Sequence, residues 1–235
     1  MIKIPGKKYC EDCKSLKKSI FCELSSKELE DLNFSKSCNY YKKGQIIFFE
    51  GNYPDGLYCI REGKIKVFKT GREGKEQIIR LANSGDLLGY RALIAGEKYS
   101  ASTSTLEDSY ICFVRKDAVF ELFKKNSSFS LSLIKLMSKD LEEIENRMVN
   151  LAQKPVRERL AETLLILKET YGYDNNSFLN ISLSREDLAN IVGTATETVI
   201  RLLADFKEDN LISTQGKKIK ILNLKKLIKA GNVSE

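Results

Sequence analysis

The spacing of hydrophobic and polar positions changes along the chain, and each spacing predicts a different kind of structure. A short helix is predicted to open within residues 24–29, at a serine N-cap. Between about residues 40 and 114 the chain consists of short β-branched and aromatic runs separated by glycines, which predicts a compact antiparallel β-roll. The predicted strands are 45–49, 57–60, 65–69, 77–81 and 109–114.

From residue 127 to about residue 152 the pattern becomes helical. Two interleaved series of apolar residues recur every seven positions, as the a and d positions of a coiled coil do. The narrow apolar seam predicts a helix that pairs with a second copy, and packing on its own domain is the alternative. The predicted dimerisation residues are Ile134, Met137, Leu141, Ile144, Met148 and Leu151.

A helix break is predicted at Lys154 and Pro155, because proline disfavours helix in the residue before it and suits the first turn of a new helix. We place a domain boundary there. An amphipathic helix over residues 157–170 follows. Farther on, Ser184 and Asp187 form a capping-box start, and Gly193 stands where the helix would end and turn into a second one. Two short helices around a glycine turn predict a helix-turn-helix.

The second of these helices is predicted to have a packed face and a groove-facing face. With Val199 as the origin, helical geometry puts Glu197 and Arg201 about 160° and 200° away. In the major groove an arginine can donate to guanine and a glutamate can accept from cytosine. A plain i,i+4 surface salt bridge is the alternative reading of this pair, and the helix-turn-helix context favours DNA contact.

A wing is predicted after this helix, as two short strands around a turn at Gly216. Lysines at its tip can approach phosphates, whereas a solvated helix face is the alternative for the longer lysine tract 217–229. The residues predicted to contact DNA are Ser184, Arg185, Thr194, Thr196, Glu197, Thr198, Ile200, Arg201, Lys217 and Lys218.

The amino-acid composition limits the partners and cofactors that the chain can have. The chain has 235 residues, 42% hydrophobic and 30% charged, with a net charge of +7, which is compatible with a folded protein that binds a polyanion. No apolar run is long enough to span a membrane, and the start lacks a signal-peptide apolar region, so we expect a cytoplasmic protein. Six cysteines and no histidine exclude histidine-dependent catalysis and histidine-ligated haem. No acid/base pair or nucleophile arrangement is visible either, so we expect no enzyme activity.

The order of β-roll, dimerising helix and winged helix-turn-helix resembles the CRP/FNR superfamily of bacterial transcription regulators. The motifs that carry the resemblance are segments 41–51, 85–89, 183–189 and 197–201. The resemblance implies an α+β protein with a cyclic-nucleotide-binding-type roll, which binds pseudo-palindromic double-stranded DNA as a homodimer and has RNA polymerase as a partner. The expected divisions are an arm (1–24), the roll (25–126), the dimerisation helix (127–153) and the DNA-binding domain (154–235).

The resemblance also locates an effector pocket in the roll, at Gly89, Arg91, Ala92, Tyr99 and Ser100. In family members that bind cyclic nucleotide, an acidic residue holds the ribose and an arginine neutralises the phosphate. Here the acidic residue is missing and Tyr99 replaces the arginine. A charged ligand loses its partner by that replacement, so we expect no tight binding of cAMP.

The cysteines resemble the set that holds a [4Fe-4S] cluster in FNR-type oxygen sensors. The implied ligands are Cys10, Cys13, Cys22 and Cys112, with Cys38 as a competing fourth ligand. Cys59 is expected to be a small core residue. A zinc site with four cysteine ligands and simple free thiols are the alternatives.

The function expected is therefore sequence-specific transcription regulation, with oxygen, redox state or nitric oxide sensed through an iron-sulfur cluster. One alternative is a cluster-free regulator of the same family that responds to another small ligand. Another is an effector module that regulates a protein partner.

Overall fold

The computed structural model describes residues 8–233, which form two compact units. The first unit comprises the described residues up to Thr70 and Ile79–Leu141, and the second comprises Gly71–Ile78 and the described residues from Glu142 onward. Residues 1–7 of the predicted arm and residues 234–235 lie outside the described part. No helix within residues 8–233 is long and apolar enough to cross a membrane.

The first unit is built on two four-stranded sheets, with strand orders β1-β8-β3-β6 and β2-β7-β4-β5. All five strands predicted from alternation are confirmed, as β2, β3, β4, β5 and β8. The expectation of a β-roll is thereby confirmed as well. The strands are β1 Lys36–Tyr41, β2 Ile46–Phe48, β3 Gly56–Glu62, β4 Ile65–Thr70, β5 Glu76–Ala82, β6 Leu87–Leu88, β7 Ser102–Thr105 and β8 Ser109–Arg115.

Strand β7 was not predicted, because its four residues are all serine or threonine and show no apolar alternation. All four are nevertheless buried. The hydroxyl groups at the two ends of the strand bond to backbone groups of neighbouring loops: Thr105 Oγ1 donates to the Lys42 carbonyl at 2.7 Å, and Ser102 Oγ accepts from the Glu50 N–H at 2.9 Å. Hydrogen bonding of this kind offsets the cost of burying polar groups.

Helices close the first unit around its cores. The predicted serine cap is confirmed, since Ser25 accepts from the Glu28 N–H and the Glu28 carboxylate accepts from the Ser25 N–H. One core joins Phe21, Leu57 and Phe129, and a second core inside the roll includes Ile60 and Ile111. The helices are two short 3-10 turns at Leu16–Lys18 and Ile20–Glu23, then α1 Ser26–Ser35, α2 Tyr90–Ala95 and α3 Lys116–Lys125.

The long predicted helix is confirmed as α4, which runs over Ser127–Gln153. It ends just before Pro155, and α5 begins at Val156, as the helix break predicted. The division between the two units falls within α4, between Leu141 and Glu142. The predicted domain boundary instead lies at the end of this helix.

The second unit contains a helix-turn-helix followed by a two-stranded wing. Helix α5 buries Leu160, Leu164 and Leu167, which confirms its predicted amphipathic face. The elements of this unit are α5 Val156–Tyr171, α6 Arg185–Val192, α7 Thr196–Glu208, β9 Ile212–Gln215, β10 Lys218–Ile221 and α8 Leu224–Ala230.

Candidate functional site

The turn between α6 and α7 is defined by local chemistry. Ser184 and Asp187 form the predicted capping box, in which each side chain accepts from the other residue's backbone N–H. Gly193 ends α6 with a φ of 73°, and its N–H donates to the Ala189 carbonyl. Because side chains rarely adopt this left-handed conformation, glycine suits the turn that sets the direction of α7.

Helix α7 has two chemically different faces. Val199, Leu202, Leu203 and Phe206 are buried, as helical periodicity predicts. Glu197 and Arg201 on the opposite side are exposed, and so is Ile200, which flanks the buried face. The Arg201 guanidinium is 69% exposed, and its nearest acidic partner is Asp205, at 3.9 Å. A pair at that distance on an exposed surface holds an arginine only weakly, so its donors remain available to another acceptor.

The other predicted contact residues differ in how far they are already engaged. Thr194, Thr196 and Thr198 are half-buried near the start of α7. The hydroxyl of Ser184 donates to the Asp187 carboxylate at 2.6 Å, so capping already occupies it. Ser184 therefore acts as the N-cap of α6, the role that its spacing from Asp187 predicts.

Arg185 connects α6 to the wing. One terminal nitrogen of its guanidinium donates to the Gly216 carbonyl at 3.1 Å. The other terminal nitrogen is buried and has no hydrogen-bond partner among the described residues. Burial lowers the pKa of Arg185. A buried donor without a partner costs free energy, so this nitrogen does not by itself strengthen the link between α6 and the wing.

The wing lysines are not equivalent. Lys218 contacts the Asp174 carboxylate at 3.0 Å and lies over the Phe178 ring. Lys217, at the turn, is exposed and has no ion-pair partner among residues 8–233. Consequently Lys217 is the freer cation at the wing tip, a distinction that the sequence does not indicate.

Residues 71–78, which comprise the turn after β4 and the first three residues of β5, group with the second unit. Gln77 donates to the Asn190 carbonyl at 2.6 Å, and Lys75 donates to the Thr194 carbonyl at 2.9 Å. Both acceptors belong to the helix-turn-helix. These contacts were not predicted, because they join positions more than a hundred residues apart and no local pattern marks them.

The predicted dimerisation residues lie along an exposed strip of α4. Their side chains are between 36% and 64% exposed in the single chain. Phe129 and Leu133 on the same helix are instead buried in the first unit. Large apolar side chains repeated at this spacing and left exposed are typical of a surface that a second helix covers.

The predicted effector residues do not form an open pocket around Gly89. The Tyr99 ring is buried and stacks on Phe48, with ring centroids 3.9 Å apart. A Cβ at Gly89 would lie 2.9 Å from the Tyr99 ring, which shows how closely the ring approaches this glycine. Ala92 is buried in the roll core, while Arg91 points outward to Glu97.

Ser100 is exposed, and a cavity of about 240 Å³ lies on another side of Tyr99. Aromatic rings dominate its lining. The side chain that replaces the expected phosphate-binding arginine therefore fills space with an aromatic ring, in keeping with the expectation that cAMP binds poorly.

A polar network joins the roll to α4 within the first unit. Tyr90 donates to the Asp140 carboxylate, and Arg80 donates to the Tyr90 hydroxyl at 3.2 Å. Arg80 also lies 3.6 Å from the Asp140 carboxylate. Burial and the bond to Asp140 raise the pKa of Tyr90, so the hydroxyl stays protonated as a donor. No local sequence pattern marks this network, since its members come from β5, α2 and α4.

The four cysteines expected to hold a cluster are not brought together. Cys112 forms a disulfide with Cys38, its directly opposite neighbour on β1. Cys22 is exposed on a 3-10 turn, with its thiol directed to Glu23. Across residues 8–233 no group of three or more cysteine and carboxylate side chains is arranged to hold a metal ion.

The expected ligand set is therefore corrected. Cys10 and Cys13 share a cavity with Cys59 and Cys112, not with Cys22. The cavity measures about 20 Å³, which is room for little more than one water molecule. An iron-sulfur cluster does not fit these residues as they are arranged. Cys59, expected to be only a core residue, belongs to this group, and Cys38 is the disulfide partner of Cys112 and not a free thiol.

Comparison with known proteins agrees with this architecture. The family model for a cyclic nucleotide-binding domain matches residues 38–126, and the model for a Crp-like helix-turn-helix domain matches residues 158–230. A crystal structure of a crp/fnr-family transcriptional regulator from Eubacterium rectale has a TM-score of 0.74 at 18% identity, and the match covers 91% of this chain and 97% of that one. These matches define a cyclic-nucleotide-binding-type roll joined to a DNA-binding helix-turn-helix.

Two curated relatives extend the match over nearly the whole chain. Both are named fumarate and nitrate reduction regulatory protein. The one from Yersinia pestis is 31% identical, with 95% of this chain and 91% of the relative covered. The one from Vibrio cholerae is 30% identical, with 97% and 92% covered. The chain belongs to the CRP/FNR family of transcription regulators, and the expectation of a regulator and not an enzyme is confirmed by that membership.

Proposed function

We propose that this protein is a homodimeric transcription regulator that binds specific DNA sequences through α7. The observation that carries the proposal is the division of α7 into a buried apolar face and an exposed face bearing Glu197 and Arg201. Side chains on this exposed face can reach base edges when α7 lies in the major groove. Two copies then contact successive major grooves of a pseudo-palindromic site.

Base recognition and phosphate contact fall to different residues in this proposal. Arg201 donates two hydrogen bonds to a guanine, and Glu197 accepts from a cytosine amino group. Lys217 and Arg185 contact phosphates, which position the protein without distinguishing sequences. The threonines at positions 194, 196 and 198 add contacts near the start of α7. Such a protein acts in the cytoplasm and contacts RNA polymerase at its promoters.

The test of base recognition uses an operator selected from a random-sequence DNA pool. Arg201→Ala should weaken binding to the selected operator about 5- to 150-fold, which corresponds to one lost bidentate base contact. Binding to random DNA should change little. The matched control is Arg115→Ala, since Arg115 is 68% exposed, is also paired with a nearby aspartate, and lies in the first unit.

Fluorescence anisotropy at one fixed salt concentration measures both affinities. Equal losses on the selected operator and on random DNA would contradict base recognition by Arg201. If wild-type protein selects no sequence from the pool at all, the proposal of sequence-specific binding fails, and regulation of a protein partner becomes the better account.

The dimer proposal depends on the exposed seam of α4. Ile144→Glu places a charge in the seam, where it would be buried between two copies, so we expect dissociation to monomers and loss of operator binding. Val149→Glu is the control, because Val149 is 49% exposed on the same helix but lies outside the two heptad series. Sedimentation measurements distinguish the outcomes. A dimeric Ile144→Glu variant would contradict the proposed interface.

We propose a redox-linked signal as the input. The relatives named above are regulators of fumarate and nitrate reduction, and the first unit groups four of its cysteines around one cavity. Purification without oxygen, followed by iron, sulfide and zinc analysis, tests whether a metal is involved. Stoichiometric iron and sulfide would restore the iron-sulfur hypothesis and require Cys22 and Cys112 to rearrange. Metal-free protein with intact DNA binding supports an input based on the thiols alone.

A further inference from the structure

Three cysteines form a row across neighbouring strands of one sheet. Cys112 on β8 is directly opposite Cys38 on β1 and directly opposite Cys59 on β3. Directly opposite residues in an antiparallel sheet project from the same face with their Cβ atoms about 5 Å apart. The Cys112 sulfur therefore has a cysteine neighbour on either side, and it is bonded to Cys38.

The N-terminal arm adds a dithiol to this face. The Cys13 N–H donates to the Cys10 carbonyl at 2.9 Å, and this tight turn brings the two ends of the Cys-x2-Cys segment together. Arg61 on β3 holds the arm against the sheet, because its guanidinium donates hydrogen bonds to the carbonyls of Tyr9 and Asp12. Cys10 and Cys13 consequently line the same 20 Å³ cavity as Cys59 and Cys112.

Lys36 supplies a charge at this cavity. Its ammonium nitrogen lies 2.8 Å from the Cys10 sulfur and donates to it. A cation at that distance favours the thiolate, which is the form that attacks a disulfide. Burial acts in the opposite direction and is the stronger influence, so the pKa of Cys10 is raised and its thiolate fraction increases toward alkaline pH.

We propose that this cavity is a thiol–disulfide exchange site, in which Cys10 and Cys13 of the arm take over the disulfide held by Cys38 and Cys112. The Cys10 thiolate attacks the sulfur of Cys112, a residue that lines the same cavity. A Cys10–Cys112 bond forms, the Cys38–Cys112 bond breaks, and Cys38 leaves as a thiolate that takes up the proton released by Cys10.

The second step completes the transfer. The Cys13 thiolate attacks Cys10, a Cys10–Cys13 disulfide forms, and Cys112 leaves as a thiolate that takes up the proton from Cys13. Two electrons have passed from the arm pair to the sheet pair, and no external oxidant is consumed. An external dithiol or disulfide can then react with the arm pair, which is nearer the surface because Cys13 is partly exposed.

The two remaining cysteines do not take part. Burial raises the pKa of Cys59 to about 12, which keeps this thiol protonated and unreactive at neutral pH. Cys22 is exposed and outside the cavity. Cys22→Ser therefore serves as a control that removes a cysteine without touching the site.

Disulfide mapping tests the proposal, because trypsin places the cysteines on separable peptides. Cleavage after lysine and arginine gives peptide 9–14 with Cys10 and Cys13, peptide 37–42 with Cys38, and peptide 99–115 with Cys112. Full-length protein that holds the Cys38–Cys112 disulfide is isolated at about pH 5 without oxygen, because protonated thiols exchange slowly. Samples incubated at about pH 6.5 and about pH 8.5 are alkylated and digested without reduction.

We expect the 37–42/99–115 link to decline while an internal disulfide appears in peptide 9–14, severalfold faster at the higher pH. Cys13→Ser should stop the transfer midway, so a 9–14/99–115 link accumulates and Cys38 becomes open to alkylation. Cys22→Ser should behave as the wild type does.

The proposal is overturned if the disulfide remains entirely in the 37–42/99–115 link in wild-type protein and Cys13→Ser yields no 9–14/99–115 link. It is equally overturned if Cys22 appears in disulfides as often as Cys10. The wild-type time course needs no substitution, so it does not depend on a variant folding. The mapping also involves no DNA, and its outcome is independent of the function proposed above.

Discussion

The helix-turn-helix and the cysteine cavity differ in how their parts are distributed along the chain. The turn that positions α7 is defined by Ser184, Asp187 and Gly193, all within ten positions of one another. The cavity instead collects Cys10, Lys36, Cys59 and Cys112 from an arm and three strands. Interactions within a few residues follow from helical geometry and capping, whereas the cavity depends on sheet register. The first kind of site is open to prediction from a single sequence and the second is not.

The largest expected loss of stability comes from truncating a core phenylalanine in either of the two units. Phe206 in the second unit and Phe129 in the first are both fully buried. Replacing either with alanine should cost about 3–5 kcal/mol of stability in its own unit. Hydrogen exchange followed by mass spectrometry should show lost protection around the substituted residue, while the other unit keeps its protection. Equal loss in both units for both variants would mean that the two units unfold together.

A smaller effect is expected from the network between the roll and α4. Asp140→Ala leaves the buried Tyr90 hydroxyl and the Arg80 guanidinium without their shared acceptor, which should cost about 1–3 kcal/mol. Asp117→Ala is the control, because Asp117 is 72% exposed in its ion pair and its loss should change stability little. Urea unfolding measures both. Similar losses for the two variants would show that the network contributes no more than a surface pair.

The capping boxes allow a direct comparison, because each unit has one. Ser184→Ala and Ser25→Ala should each lower the free energy of unfolding by about 1 kcal/mol. Hydrogen bonds from Ser25, foremost its side chain, and from Asn126 lower the pKa of Glu28. That contribution is present above the pKa of Glu28 in the unfolded chain and is lost as pH falls through the lower folded value.

The effect of Ser25→Ala should therefore shrink in acid, which urea unfolding at about pH 7 and about pH 3.5 can detect. An effect independent of pH would indicate that Ser25 acts through the Glu28 N–H alone. A Ser184→Ala variant as stable as the wild type would contradict the view that local capping determines where α6 begins.

The smallest effect concerns the wing. Lys217→Ala should weaken binding to all DNA sequences and reduce the slope of log affinity against log salt by about one. Lys218→Ala should reduce it less, because Lys218 is already paired with Asp174. Titrations at several salt concentrations measure both slopes. A larger change for Lys218 than for Lys217 would show that the wing rearranges on DNA and that its geometry in the free protein is a poor guide.

Much of the fold follows from local patterns. The heptad series predicted α4 almost to the residue, and period-two alternation found β2, β3, β4, β5 and β8. Strand β7 escaped detection because it is made only of serine and threonine, whose burial depends on partners in distant loops. The β4–β5 turn was placed correctly between two strands, but no local pattern marks the contact of Lys75 in this turn with Thr194 or that of Gln77 in β5 with Asn190.

By itself the sequence determined the order of the roll, the long helix and the helix-turn-helix, together with the face of α7 that is buried. These depend on spacing within one element, where geometry is fixed by the backbone period. Only the tertiary structure decided that Cys112 pairs with Cys38, that Cys22 lies apart from the other arm cysteines, and that Tyr99 fills the space beside Gly89. The physical reason is that strand register and core packing bring together residues far apart in the chain, and spacing along the chain carries no record of either.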